Sequence, residues 1–125
     1  MPGANVLVVE DDAELLQLMS RSLQAAGHAV LTAANGEAGL RLFRAEPPDL
    51  VICDIVMPDR DGIELIPEMK RLRPEVKLVA ISGRQMIGAL DVLNLAGRLG
   101  ADATLAKPFA MEALQAIVAA LLAEA

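Results

Sequence analysis

The sequence predicts an open, doubly wound α/β sheet of five parallel strands alternating with five helices, a (βα)5 chain. Three observations carry that expectation. Short aliphatic runs alternate with longer stretches of helical periodicity. The runs lack clean in/out alternation, so they read as strands buried on both faces of a parallel sheet. The connections between the two kinds of segment are short.

The strand segments are NVLVV (5–9), AVLTA (29–33), LVICD (50–54), KLVAIS (77–82) and ATLA (103–106). In the first helical segment, AELLQLMSRSLQAAG (13–27), Leu15, Leu16, Met19 and Leu23 recur at helical spacing and Gly27 supplies a stop. The second, GEAGLRLFRAE (36–46), ends at Pro47-Pro48, and the third is GIELIPEMKRLR (62–73). The fourth lies within QMIGALDVLNLAGRLG (85–100) and stops at Gly100, and FAMEALQAIVAALLAEA (109–125) is the fifth. No repeat, linker or low-complexity tract interrupts the pattern, so residues 1–125 read as one domain.

The 125 residues are enough to close a core, and it must be aliphatic: 54% of the residues are hydrophobic, but the only aromatics are two Phe. No apolar run approaches the ~20 residues of a membrane span, and the start, MPGANVLVV, has no signal-peptide pattern. The single cysteine, Cys53, excludes an internal disulfide and is compatible with a reducing cytoplasm. A net charge of −6 argues against nucleic acid as a direct partner, and the scattered Lys and Arg read as solvated faces.

In such a sheet the ligand crevice lies at the carboxyl ends of the strands, near the switch in strand order. Strand 1 runs into Glu10-Asp11-Asp12, strand 3 ends on Asp54, strand 4 on Ser82-Gly83 and strand 5 on Lys107-Pro108. With strand order 2-1-3-4-5 these four ends are neighbours. Each residue also has an ordinary reading. Asp11 with Glu14 has capping-box spacing, and Asp12 could cap the same helix; Asp54 and Ser82 could be turn residues; Lys107 could be a surface lysine. Convergence weighs against these readings. Like charges about 4 Å apart repel by roughly 4 kcal/mol at an effective dielectric of 20. Gathering Glu10, Asp11 and Asp54 therefore calls for a cation beyond Lys107. Hard oxygens without His or Cys suit Mg²⁺, and metal, Lys107 and Ser82 together could hold a phosphoryl group.

Other site types fail. There is no phosphate-binding GxxxxGK[ST] loop and no GxGxxG after strand 1. Met57 through Gly62 resembles half of a calcium loop, but Met57 stands where the first ligand belongs, so the stretch reads as a turn. Cys53 reads as a small buried core residue rather than a nucleophile, and His28 as a surface residue.

Taken in order, VVED with Glu10-Asp11, Asp54-x-x-Met57-Pro58-x-x-Asp61-Gly62, Ser82-Gly83 and Lys107-Pro108-Phe109 resemble the receiver domain of bacterial two-component response regulators. The resemblance covers essentially the whole chain and implies the flavodoxin-like, CheY-like version of the fold. It implies that Asp54 is the phosphoacceptor, fed by a sensor histidine kinase or a histidine phosphotransfer protein. It implies Mg²⁺ held by Asp11, Asp54 and the backbone carbonyl of Val56, with Glu10 acting mainly through a bound water and Asp12 left as a cap. Lys107 would pair with phosphoryl oxygens, Ser82 would turn toward them, and the Lys107–Pro108 bond would be cis. The output would be a switched contact with a downstream protein target, in the cytoplasm, with chemistry limited to the domain's own phosphorylation and dephosphorylation.

The chain departs from that pattern in three places. Thr104 stands where receivers commonly carry an aromatic residue, which removes the usual hydroxyl–aromatic read-out. Ser82 and Lys107 are 25 positions apart, a few more than the family pattern, which predicts an extended, mobile loop in GRQMIGALD (83–91). In the fifth helix only Glu112, Gln115 and Glu124 are polar from Ala110 to Ala125, so an exposed face could either be a tolerated alanine surface or seat a partner or second copy. Val56 and Arg84, each two places past a site residue, are expected to set the lifetime of the phosphoryl group; unchanged decay in Val56→Asn and Arg84→Ala would refute this. Two rivals remain. A small Mg²⁺-dependent phosphatase with an aspartyl nucleophile usually has a second acid where Val56 stands. The other is a phosphorylation-independent interaction module.

Overall fold

The computed structural model describes residues 3–57, 62–83, 86–87 and 90–124. Its strands are β1 (Asn5–Val9), β2 (Ala29–Ala33), β3 (Leu50–Asp54), β4 (Lys77–Ser82), a short β5 (Met86–Ile87) and β6 (Leu90–Asp91), and β7 (Ala103–Ala106). Its helices are α1 (Ala13–Ala25), α2 (Gly36–Ala45), α3 (Gly62–Leu72), α4 (Val92–Leu99) and α5 (Met111–Ala123). The main sheet has order β2-β1-β3-β4-β7, with every neighbouring pair parallel, so β7 is the fifth strand of the predicted 2-1-3-4-5 order.

Alternate residues of each strand point to opposite faces, and two aliphatic cores result. Val6, Val8, Ile52, Val79 and Ile81 pack under Met19 and Leu23 of α1 and Leu114, Val118 and Leu121 of α5. Leu7, Val9, Val51, Cys53 and Ala80 pack under Leu40 and Phe43 of α2, Leu65, Ile66 and Met69 of α3, and Val92 and Ala96 of α4. Burial on both faces holds for the interior strands β1, β3 and β4 but not for the edges: β2 and β7 are half exposed. An edge strand lacks a neighbour on one side, so its flank stays in solvent whatever its composition.

The helix ends follow from local chemistry. Asn35 Oδ1 accepts from the Ala38 amide at 2.8 Å to cap α2, and Asp91 Oδ1 accepts from Asn94 at 3.1 Å to cap α4. Past α1 and α4, Gly27 and Gly100 take positive φ angles of 98° and 127°, which only glycine adopts without strain. The insert after Ser82 is not wholly an extended loop, because Met86–Ile87 pairs antiparallel with Leu90–Asp91. Arg84, and positions 58–61 of the turn expected over Met57 through Gly62, lie outside the described residues.

Candidate functional site

Four strand ends meet at one edge of the sheet because of its register. Val9 lies beside Cys53, Asp54 beside Ile81, and Ser82 beside Ala106. Glu10, Asp54, Ser82 and Lys107 therefore come out side by side, each one step along from an apolar strand that the core holds in place. Glu10 and Ser82 are fully buried and Asp54 is 4% exposed. Charged groups are seldom buried unless paired, and here Lys107 is the partner. Its Nζ lies 2.7 Å from Glu10 Oε1 and donates to Asp54 Oδ2 at 2.8 Å. The other oxygen of each acid is taken by backbone: the Asp12 amide donates to Glu10 Oε2 at 2.9 Å, and the Val56 amide donates to Asp54 Oδ1 at 3.2 Å. Lys107 itself is anchored by its own amide, which donates to the Ser82 carbonyl at 2.8 Å, and the Lys107–Pro108 peptide that follows is cis.

One ammonium does not neutralise this edge. Glu10, Asp11 and Asp54 each offer a carboxylate oxygen, and these lie within 4.8 Å of one another, with Asp11 at the exposed mouth. Burial pushes the Glu10 carboxyl up from 4.5 to about 7; the charge of Asp54 adds to the rise, and the hydrogen bonds from Lys107 and Asp12 hold it back. Burial alone would lower Lys107, but its hydrogen bonds to Asp54 and Glu10 win, and it is held above 10.5. The imbalance lies in the count of groups: three carboxylates meet at this edge, and Lys107 is the one cation among the described residues at pairing distance. The donor set is all hard oxygen, since Cys53 is buried in the core and His28 sits at the far end of the strands. Such a set fits a divalent cation of the Mg²⁺ type.

Of the two caps that the sequence offers for α1, Asp12 is the one used: its Oδ1 accepts from the Glu14 and Leu15 amides at 3.0 and 3.3 Å, which leaves Asp11 to the acidic cluster. Two other residues differ from their expected setting. His28 is half-buried rather than a surface residue, and its Nδ1 accepts from the Ala4 amide at 3.1 Å. Lys70 is no solvated lysine: its Nζ donates to the Val76 carbonyl at 2.6 Å and to Asp102 Oδ2 at 2.9 Å. Thr104 is exposed on β7, beside Ala80 of β4. Gly62, part of the motif that carries the resemblance but given no role of its own there, is buried against the end of β3. Its place directly after a turn, at the start of a helix, was the available signal.

Comparison with known proteins agrees with this geometry. Residues 6–119 match the family model of the response regulator receiver domain. The chain is 33% identical over 118 residues to the DNA-binding transcriptional regulator NtrC of Azospirillum brasilense, covering 94% of this chain and 24% of that protein. It is 32% identical to the alkaline phosphatase synthesis transcriptional regulatory protein PhoP of Bacillus subtilis, covering 94% of this chain and 48% of that protein. Among solved structures, a CheY-like receiver domain protein from Methanospirillum hungatei superposes with a TM-score of 0.89 at 30% identity, covering 98% of this chain and 95% of the other. NtrX from Brucella abortus superposes equally well, with a TM-score of 0.89 at 31% identity, over 98% of this chain and 27% of that one. The chain belongs to the receiver-domain family of two-component response regulators. It spans a quarter to a half of the length of the two curated relatives named.

Proposed function

We propose that this chain is a phosphorylatable receiver in which Asp54 takes a phosphoryl group from a phosphohistidine of a sensor kinase or phosphotransfer protein. The observation that carries the reading is the Lys107 ammonium bridging Asp54 and Glu10 at 2.8 and 2.7 Å beside a third carboxylate, Asp11. Receiver domains are signalling modules that engage histidine kinases and downstream effectors, and the family typically binds a divalent cation at such an acidic pocket. Among the described residues, the secondary structure from Asn5 to Ala123 belongs to one five-stranded sheet, its helices and one antiparallel strand pair, which supports treating 1–125 as a single receiver domain.

In the transfer, an Asp54 carboxylate oxygen attacks phosphorus, a new O–P bond forms, the N–P bond to the donor imidazole breaks, and the imidazole leaves with the bonding pair. The Val56 amide and Lys107 hold the Asp54 carboxylate in place before attack, which removes orientational freedom from the step. Lys107 then lies within reach of the phosphoryl oxygens, and the buried Ser82 hydroxyl is the neutral donor on the neighbouring strand end. Asp11, Asp54 and the Val56 carbonyl would hold Mg²⁺, with Glu10 behind a water; the ion when bound supplies charge neutralisation for the transferring group. The product adds close to two charges at the strand ends, a local change able to bias the loops after β3 and β4 and the face of α4, β7 and α5 toward a downstream protein.

The exposed side of α5 is formed by Glu112, Ala116, Ala119, Ala120 and Ala123, with Met111, Ile117 and Leu122 half-buried along it. Self-association through α5 would use this alanine surface; a concentration-independent monomer mass by light scattering counts against it. No helix among the described residues is long and apolar enough to cross a membrane.

Incubation with acetyl phosphate and Mg²⁺, followed by intact mass, tests the main reading. One added phosphoryl group, absent in Asp54→Ala and absent with chelator, is the expected result. Catalytic turnover of phosphate without a stable adduct would favour the phosphatase, and no change would favour the inert module.

A further inference from the structure

Gly62 is the first residue of α3 and is buried. Its amide donates to the Ile55 carbonyl at 2.9 Å, which ties the start of α3 to the end of β3. A Cβ placed on it would lie 2.9 Å from the Asp54 carbonyl oxygen, 3.0 Å from Ile55 Cα and 3.2 Å from Ile55 Cδ1. The first two are backbone atoms, which cannot swing aside as a side-chain end can. On the opposite side the same peptide is fixed to β4, because the Ile55 amide donates to the Ile81 carbonyl at 2.9 Å. Ile55 is fully buried, so it has no open space into which to retreat. The backbone between Asp54 and Val56 is therefore held between β4 and the start of α3, and the Val56 amide in turn holds Asp54 Oδ1.

The geometry points to Gly62 as a positioning residue for phosphoryl transfer: its missing side chain lets α3 close on the Asp54–Ile55 peptide, and that closure sets where the Asp54 carboxylate stands relative to Glu10, Asp11 and Lys107. The inference rests on the reading of Asp54 as phosphoacceptor, but it concerns a residue outside the acidic cluster and outside the lysine's reach. A Cβ at Gly62 pushes outward on the end of β3 and the loop behind it, tilting the Val56 amide away from Asp54. Misplacement of a reacting group by about 1 Å can cost on the order of 10²-fold in rate. Gly62→Ala is thus expected to slow phosphorylation by acetyl phosphate by roughly that factor and to weaken Mg²⁺ binding, while the sheet remains folded.

Because the chain has no Trp or Tyr, binding is followed by calorimetry and by the ¹⁵N–¹H signals of Val56 and Gly62. Leu114→Ala, a core truncation on α5 under the other face of the sheet, is the matched control for lost stability. Expected for Gly62→Ala are a displaced Val56 signal, weaker Mg²⁺ binding and slower phosphorylation, with Leu114→Ala near wild type in all three. A folded Gly62→Ala with wild-type Val56 signal, Mg²⁺ affinity and rate would overturn the inference. Should the variant not fold, the wild-type protein still decides: the Gly62 amide signal must move with that of Val56 on Mg²⁺ addition, and a Gly62 signal that stays put would refute the coupling. Failure of wild-type protein to accept phosphate on Asp54 would instead sink the functional reading.

Discussion

The two ends of one sheet treat charge in opposite ways. At the amino ends of the strands, acids and bases are matched. Asp102 Oδ2 accepts from Lys70 Nζ at 2.9 Å and from the Leu78 amide at 2.8 Å. Asp49 Oδ2 accepts from the Asn5 amide at 2.9 Å and its Oδ1 lies 4.0 Å from Arg73, while Lys77 reaches Glu124 at 3.7 Å. At the carboxyl ends, Glu10, Asp11 and Asp54 crowd together, and among the described residues Lys107 is the one cation at pairing distance. Matched pairs fasten elements together, whereas an unbalanced cluster keeps a demand for positive charge that a divalent cation can meet. The difference separates residues that hold the fold from residues that use it, although all of them are polar groups at strand ends.

The largest expected effect comes from removing the cation at the unbalanced end. Lys107→Met should lower the rate of phosphorylation by about 10²-fold or more, the scale for losing one preorganised charge donor, as read by intact mass over time. A near-wild-type rate would mean that the bridge to Asp54 is incidental.

Next in size is a pH dependence with a definite sign. In the metal-free protein the Glu10 carboxyl is held up from 4.5 to about 7 by burial. Between those values the folded chain keeps a proton that the unfolded chain has released, so the contribution of Glu10 to stability falls as pH rises through this window and is level above it. Mg²⁺ affinity should run the other way, strengthening toward pH 7 as the carboxylate becomes free to serve the ion. Thermal melts and calorimetric titrations across pH 5–8 check both slopes. Glu10→Gln should flatten them, and slopes that persist in that variant would assign the titration elsewhere.

Smaller effects are expected at the matched end. Asp102→Ala strips an acceptor from the Leu78 amide and from Lys70, and should cost about 1–3 kcal/mol in denaturant unfolding, with phosphorylation unchanged once folded. A slowed reaction would show that the two ends are coupled, and would undo the comparison. Smallest is Asp12→Ala, which loses the α1 cap and should cost ~1 kcal/mol, with Asp12→Asn restoring most of it.

Much of this was legible before any coordinates. The five aliphatic runs became the strands of the main sheet with the same bounds, because short β-branched and aliphatic runs between helical segments suit strands of a parallel sheet. Glu10, Asp54, Ser82 and Lys107 were readable as a cluster because the order of a doubly wound sheet places those strand ends side by side. What escaped depended on partners far along the chain. Lys70 looks solvated until the fold brings Asp102, 32 positions away, beneath it. His28 finds the Ala4 amide 24 positions back. AVLTA reads like a buried strand, since nothing in its composition says that β2 is the edge. Two-residue strands such as β5 and β6 are too short to show a period. Asp11 and Asp12 both stand at capping distance from the first turn, and the assignment of Asp12 as the cap agrees with the point at which the chain turns into α1.

The central claim is that Asp54, among three crowded carboxylates, is the one that carries phosphate. Protein treated with acetyl phosphate and Mg²⁺, reduced with borohydride to trap the acyl phosphate and mapped by tandem mass spectrometry, locates the modified residue directly. Reduction confined to position 54 is the predicted result. Label at Glu10 or Asp11 instead, or none on folded, Mg²⁺-loaded protein, would contradict it.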